Sequence, residues 1–173
     1  MKKKVFCIVG WSGSGKTDLT TRIIKYLVKK KILVSSIKHS HHGFEIDKKG
    51  KDSYVHLQSG SNEVAIYNRK KWALISQIQK KDVSVEEILA KFQKDTEIIL
   101  IEGLKYSNFP KIEVVRSTIK KPLIFKQDKK IVALVIDKNI DYLKNIDLPT
   151  FNFSETERIG NFVLNYFRNA NAL

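Results

Sequence analysis

The stretch "VFCIVGWSGSGKT", residues 5–17, constrains the fold more than any other part of the chain. Its first half is an apolar run with β-branched residues, which is typical of a buried strand in a parallel sheet. The turn that follows satisfies the phosphate-loop pattern G-x-x-x-x-G-K-[ST], through Gly10, Gly15, Lys16 and Thr17. Apolar positions then recur at three- and four-residue steps, which indicates a helix. Because a strand, a glycine-rich turn and a helix are the context that a phosphate loop requires, we predict phosphate binding here.

The predicted loop has the residue types that a nucleoside triphosphate needs. Its glycines let successive backbone N–H groups point at phosphate oxygens, and the following helix adds its positive N-terminal end. Lys16 would reach the β- and γ-phosphates, and the Thr17 hydroxyl would coordinate Mg²⁺. A dinucleotide-binding turn is disfavoured, since the order G-x-G-x-x-G is absent. The predicted phosphate-binding residues are Gly10, Trp11, Ser12, Gly13, Ser14, Gly15, Lys16, Thr17 and Asp18.

A second apolar run, "EIILIEG", supplies the carboxylate that such a site needs near its metal. Glu102 follows a series of Ile and Leu residues, so we expect it at the carboxyl end of a buried strand, where parallel sheets bind ligands. A carboxylate so close to buried apolar residues is costly unless a cation or a hydrogen-bond donor balances it. We therefore predict that Glu102 acts at the metal, against the alternative of a surface residue at a strand end.

The polar loop "SHHGFEIDKKGKDS", residues 40–53, follows another predicted strand, "ILVSSIKH". At 14 residues it is long for a compact domain, and such loops are usually functional or disordered. There are three alternatives for this segment: a solvated surface loop, a zinc site, or a loop that folds over phosphates and Mg²⁺. The zinc site is disfavoured because no cysteine joins the histidines. The third alternative involves the cluster Lys38, His39, His41, His42, Asp47, Lys51, Asp52 and Ser53.

These motifs define the predicted site. Its nucleotide-binding residues include His39, His41 and His42 besides the phosphate loop. If the loop folds over phosphates and Mg²⁺, Asp52 would be a metal ligand or a group that orients water. The predicted catalytic residues are Lys16, Asp52 and Glu102, and the predicted metal ligands are Thr17, Asp52 and Glu102.

The rest of the chain predicts further alternation of strands and helices. "YVHLQSG" favours a short helix, "NEVAIYN" and "KWALISQ" favour a hairpin, and "SVEEILAKFQ" favours a helix that begins at a serine cap. "KIEVVR" and "KIVALVID" are further predicted strands, and an amphipathic helix begins near Ser154. This order indicates an α/β protein with a mainly parallel sheet flanked by helices.

Length and composition fit one nucleotide-binding domain over residues 1–173. No apolar run reaches the roughly 18 residues that span a bilayer, so we expect a soluble, cytoplasmic protein. The single cysteine, Cys7, lies within the first apolar run, which excludes a disulfide framework and favours a buried, inert thiol. The net charge of +14 suits either a solvated lysine-rich surface or a polyanion-binding face. Since no nucleic-acid-binding motif accompanies the charge, we expect no nucleic-acid or membrane partner.

Three segments in combination resemble the MobB family, the GTP-binding proteins of molybdopterin-guanine dinucleotide biosynthesis. They are "GWSGSGKT", "IKHSHHGFEIDKKGKDSYVHLQSGS" and "IILIEGLKYSNFPKIEVVR", and the resemblance runs from about Lys4 to Val135. It implies a P-loop NTPase fold, related to dethiobiotin synthetase and the nitrogenase iron protein, and a homodimer. It also implies GTP with Mg²⁺, weak GTPase activity and a supporting role beside MobA, the guanylyltransferase that joins GMP to molybdopterin. Molybdopterin itself is a further implied ligand.

Two positions depart from the family pattern. Asp18 stands where members often have a second threonine, which would place a negative charge beside the triphosphate. The stretch "VALVIDKNI" replaces a more usual "VAVASD", which makes Asp137 a candidate for recognition of guanine, with a simple loop aspartate as the alternative. Two other functions also stay open: a P-loop kinase or ligase that acts on a small metabolite with ATP, and a basic NTPase that binds nucleic acid.

Overall fold

A computed structural model describes residues 3–40, 43–77, 82–138 and 146–169. The chain forms two compact units, of which the first comprises residues 1–39 and 93–173 and the second residues 40–92. Within the described residues, no helix has the length and apolar character needed to cross a membrane.

The first unit contains a sheet in which the six described strands are all parallel, in the order β2-β5-β1-β6-β7-β8. The strands are β1 (Lys4–Val9), β2 (Val34–Lys38), β5 (Ile98–Glu102), β6 (Lys111–Val115), β7 (Ile131–Ile136) and β8 (Thr150–Asn152). The helices are α1 (Lys16–Lys29) and α4 (Thr156–Asn169), with a 3₁₀ turn at Ile124–Lys126. The predicted α/β class with a mainly parallel sheet is therefore confirmed.

One face of this sheet packs against α1 and α4 and forms the main apolar core. Phe6 and Ile8 from β1 meet Leu19 and Ile23 from α1 in one buried cluster. The two helices approach closely at Gly160, where a Cβ atom would lie 2.3 Å from the Tyr26 ring. A glycine is therefore required at the point where α4 crosses α1.

Loops, not helices, connect β5 to β6 and β6 to β7, so the expected strict alternation of strands and helices is wrong here. Both connections are fully described and contain only irregular chain and the 3₁₀ turn. Pro110 and Pro122 interrupt these segments, and proline disfavours a helix at the residue before it. The loops lie against the second face of the sheet: the Cys7 thiol is 3.6 Å from the Ser107 hydroxyl, and Glu113 accepts from the N–H of Ile124.

The second unit contains α2 (Asp52–Gln58), the antiparallel hairpin of β3 (Glu63–Tyr67) and β4 (Trp72–Ser76), and α3 (Val85–Lys91). Ser84 caps α3 in a capping box, since its side chain accepts from the Glu87 N–H while Glu87 accepts from the Ser84 N–H. The short helix, the hairpin and the serine cap predicted from sequence are all confirmed.

Candidate functional site

The phosphate loop, residues 10–15, joins β1 to α1 at the carboxyl edge of the sheet. Gly15 is the N-cap of α1 and has a φ of 94°, a left-handed conformation that favours glycine. A Cβ atom here would lie 2.7 Å from the Arg116 guanidinium and 2.9 Å from the Phe153 ring. Both backbone conformation and packing therefore require the glycine that the motif predicts.

The N-terminus of α1 is open toward a ligand. Among the described residues, no side chain caps this helix, so its first N–H groups are available to an acceptor. The Ser14 hydroxyl is also buried, at 1% exposure, and has no hydrogen-bond partner in the described part of the chain. Buried polar atoms are normally satisfied. The hydroxyl is buried on the side of Gly10 and β6, so a phosphate would supply acceptors to the N–H groups, and the loop fits an anion through the start of α1.

The Lys16 side chain is held by the backbone of the phosphate loop. Its ammonium donates to the Trp11 carbonyl oxygen at 2.8 Å. Burial lowers the pKa of Lys16 from its ordinary value, the nearby Glu102 carboxylate opposes this, and the charges of Lys38 and Lys105 lower it further. A partly desolvated cation in this position is stabilised when a phosphate anion approaches it.

Glu102 lies at the end of β5, 6% exposed, and is the centre of the predicted metal site. The Thr17 hydroxyl, at the start of α1, donates to Glu102 Oε1 at 2.7 Å. Lys38, paired with Glu102 in the register of β2 and β5, forms an ion pair with the same oxygen. The cation and the donor that a buried carboxylate requires are thus Lys38 and Thr17. The expected proximity of Thr17 and Glu102 is observed, and their metal role stays a prediction.

The Thr17 hydroxyl and the Glu102 carboxylate are oxygen donors of the kind that Mg²⁺ prefers. In the ranges that the structure describes, no group of three or more His, Cys, Asp or Glu side chains could hold a metal. Magnesium usually retains several waters and takes one or two protein oxygens together with substrate phosphates. A site with Thr17 and Glu102 therefore fits a magnesium–nucleotide complex better than a metal caged by protein alone.

An arginine–aromatic cluster supports the phosphate loop, and the sequence analysis did not include it among the site residues. Arg116 donates through Nε to the Ser14 carbonyl at 2.9 Å and lies 3.9 Å over the Phe153 ring. Arg22 lies over the same ring at 4.6 Å and pairs with Asp18 at 3.0 Å. Arg116 directly follows β6, at the same sheet edge as Glu102, which is the one signal that could have identified it.

Asp137 directly follows β7. Its carboxylate accepts from the Ser117 N–H at 3.0 Å and from the Ser117 hydroxyl at 3.2 Å, with Arg116 3.9 Å away. Burial raises the pKa of Asp137, but the hydrogen bonds from Ser117 and the charge of Arg116 outweigh it, so the pKa lies below its ordinary value. The group is a negatively charged acceptor at the ligand-binding edge, and recognition of guanine stays a prediction.

The predicted His/Asp cluster is divided between the two units. His39 follows β2, and its backbone N–H donates to the Glu102 carbonyl at 3.0 Å. His41 and His42 lie outside the described residues. Asp52 begins α2 in the second unit, where it lines a cavity of about 520 Å³ with Asp47 and other residues. The roles predicted for His39 and Asp52 stay predictions.

Comparison with known proteins identifies consistent relatives. A family model described as MobB, molybdopterin guanine dinucleotide synthesis protein B, matches residues 5–137. A Haemophilus influenzae protein named molybdopterin-guanine dinucleotide biosynthesis adapter protein is 35% identical over 160 residues, which cover 92% of this chain and 86% of the relative. The Escherichia coli protein of the same name is 28% identical over 171 residues, 96% of this chain and 95% of the relative.

Solved structures agree with these relatives. The crystal structure of a molybdopterin-guanine biosynthesis protein B is similar with a TM-score of 0.71 and 26% identity, covering 94% of this chain and 99% of that one. Bacillus subtilis MobB is similar with a TM-score of 0.73 and 24% identity, covering 94% and 96%. These similarities confirm the predicted fold, a P-loop NTPase with a mainly parallel sheet flanked by helices.

Proposed function

The chain belongs to the MobB family, and from this membership and its open phosphate loop we propose that it is a GTP-binding adapter in molybdopterin-guanine dinucleotide biosynthesis. It binds GTP with Mg²⁺, hydrolyses it weakly, and assists the attachment of GMP to molybdopterin. The observation that carries the nucleotide part is the uncapped start of α1, where Lys16 and Thr17 begin the helix. A phosphate would supply the acceptors that its first N–H groups lack.

Lys16 and the N-terminus of α1 would hold the triphosphate. The Lys16 ammonium, now on the Trp11 carbonyl, would exchange this neutral acceptor for phosphate oxygens. Both contacts have an ionised donor, and the phosphate adds the attraction between opposite charges that a neutral carbonyl lacks. Arg116 would keep the loop in place through the Ser14 carbonyl.

Thr17 and Glu102 would hold magnesium, which when bound neutralises charge on the phosphate oxygens. Their existing hydrogen bond positions both oxygens at the start of the loop helix. Asp52, by its place in the family motif, would act as a further ligand or orient water, and His39, His41 and His42 would contact the nucleotide. Asp137 would accept from the ring donors of guanine and so favour GTP over ATP.

The partners follow from the family. A MobA-type guanylyltransferase is the proposed enzyme partner, and molybdopterin is a further proposed ligand. We also propose a homodimer, which the hairpin of the second unit supports. One face of it carries the exposed side chains Tyr67, Trp72 and Leu74, at 82%, 65% and 42% exposure. A two-stranded hairpin is marginally stable alone, and such an apolar face is typical of an interface.

The nucleotide proposal is tested with Lys16→Ala, which is expected to abolish triphosphate binding while the protein stays folded. Lys25→Ala, an exposed lysine on the same helix, is the control and should bind like the parent. Triphosphate binding to Lys16→Ala at parental affinity would contradict the proposal. Phosphorus NMR with candidate acceptors distinguishes the alternative, since accumulation of a phosphorylated metabolite from ATP would favour a kinase or ligase.

A further inference from the structure

The first turn of α1 carries a negative charge at the place where the proposed nucleotide carries several. Asp18 directly follows Thr17, and its side chain is 61% exposed. A carboxylate in a first turn stabilises the helix itself, because it lies near the positive end of the helix dipole. The same carboxylate repels a triphosphate that binds to the first N–H groups of this helix. The proposed site therefore requires a cation that offsets the charge of Asp18.

Arg22, one turn further along α1, is that cation. Its Nε donates to Asp18 Oδ2 at 3.0 Å. Its Nη2 donates to the Phe153 carbonyl at 2.8 Å, and its Nη1 donates to the Thr156 hydroxyl. Each nitrogen of the guanidinium thus has an acceptor, and two of the three acceptors belong to the segment between β8 and α4. This segment fixes the arginine, and the arginine in turn fixes the carboxylate.

The Phe153 ring joins this ion pair to the phosphate loop. Arg22 and Arg116 both lie over the ring, within 5 Å of its centroid, in cation–π contacts. Arg116 also donates to the Ser14 carbonyl of the loop. One aromatic residue therefore positions both the arginine that holds the loop and the arginine that holds Asp18.

Stability alone does not account for the pair of Asp18 and Arg22. Ion pairs between residues i and i+4 on a helix surface contribute little to the free energy of folding, because water solvates the charges. A triphosphate responds more strongly, since its several negative charges interact with both partners. Resting on the proposed function, we propose that Arg22 is a positioning residue for the nucleotide. It binds the Asp18 carboxylate and offsets its charge, so that the start of α1 accepts a triphosphate.

The test is a calorimetric titration with GTP and Mg²⁺ of Arg22→Gln, Asp18→Asn and the double variant. Arg22→Gln leaves the Asp18 charge without its partner and should weaken binding about fivefold. Asp18→Asn removes only a charge and should bind more tightly than the parent. The double variant should return to about the parental affinity. If Arg22 only braced β8 against α4, asparagine at position 18 would not rescue its loss, so a double variant as weak as Arg22→Gln would overturn the proposal.

Ionic strength gives a second readout that a purely structural role would not change. The loss in Arg22→Gln should shrink toward about 1 M salt, where the Debye length falls to about 3 Å. A loss that is the same at low and high salt would contradict the proposal. Arg158→Gln is the matched control, because Arg158 forms a comparable i, i+3 pair with Glu155 at the start of α4. It should bind GTP like the parent.

Two further arms keep the outcome decisive. Thermal unfolding shows whether Arg22→Gln is folded. If it is not, Asp18→Asn carries the test, and parental affinity in that variant overturns the proposal. If the parent protein does not bind GTP, the proposed function fails, and the same variants are titrated with magnesium and tripolyphosphate. Parental affinity for GTP in Arg22→Gln would overturn the role of Arg22 alone, whereas a parent that binds neither ligand would overturn both proposals.

Discussion

Replacement of Glu102 by glutamine should separate the function of this side chain from its contribution to stability. Glutamine keeps the shape and retains an oxygen that accepts from the Thr17 hydroxyl, now 2.7 Å from Glu102. It removes the negative charge that we assign to magnesium. Nucleotide binding should therefore persist, while magnesium-dependent turnover is lost.

The magnitude of the stability change follows from the exposure of the partner. The Lys38 side chain is 63% exposed and that of Glu102 7% exposed, so water solvates the ammonium when the carboxylate is removed. Such screened pairs contribute up to about 1 kcal/mol. For a chain of this size that corresponds to a change in Tm of about 2–4 °C.

Two measurements check this separation: thermal unfolding without nucleotide, and GTP hydrolysis over a magnesium series. Glu97→Gln is the matched control, since Glu97 precedes β5 at its other end and accepts from the Leu33 N–H at 3.0 Å. It should hydrolyse GTP like the parent. Hydrolysis by Glu102→Gln at the parental rate and magnesium dependence would refute the catalytic assignment.

Three further outcomes are expected. In Gly15→Ala, strain at positive φ adds to overlap with Phe153, so the free energy of unfolding measured in urea should fall by about 2–5 kcal/mol. Gly50 has a φ of 84° but no neighbour within 4 Å, so Gly50→Ala should lower it by only about 1–2 kcal/mol. Equal losses would contradict the packing argument. Burial raises the pKa of Cys7 from 9.0 to about 11, so iodoacetamide at pH 8 should label the unfolded protein only. The free energy of unfolding should also fall as the pH rises from 9 to 11, because the thiol of the unfolded chain ionises first. Rapid labelling of the native protein would refute this. Asp52→Asn should lose magnesium-dependent turnover. Full turnover in this variant would instead support the alternative of a solvated surface loop.

Local sequence patterns predicted strand β1, the phosphate loop, helix α1 and the position of Glu102 at a strand end. Each depends on short-range chemistry: an apolar run forms a buried strand, and a polar residue at its end emerges at the ligand-binding edge. The parallel pairing of β2 with β5 then brings Lys38 beside Glu102, a contact between residues 64 positions apart that no local pattern reveals.

Long-range packing explains what the sequence analysis did not anticipate. Strand β8 has only three residues, too few for a recognisable alternation, and it forms because β7 offers an open edge. Phe153 contacts the phosphate loop because strand β8 ends at Asn152, directly before it. Its sequence neighbours therefore gave no sign that it belongs to the site. The general alternation of strands and helices fails between β5, β6 and β7, where Pro110 and Pro122 disfavour a helix.

The most direct test of the proposed function is a calorimetric titration of the protein with GTP and with ATP, each with Mg²⁺. We predict that GTP binds at least about tenfold more tightly, a difference of roughly 1.4 kcal/mol. The same titration of Asp137→Asn should reduce that preference. Equal affinity for both nucleotides, or a preference of the parent protein for ATP, would contradict the assignment of a guanine-specific adapter.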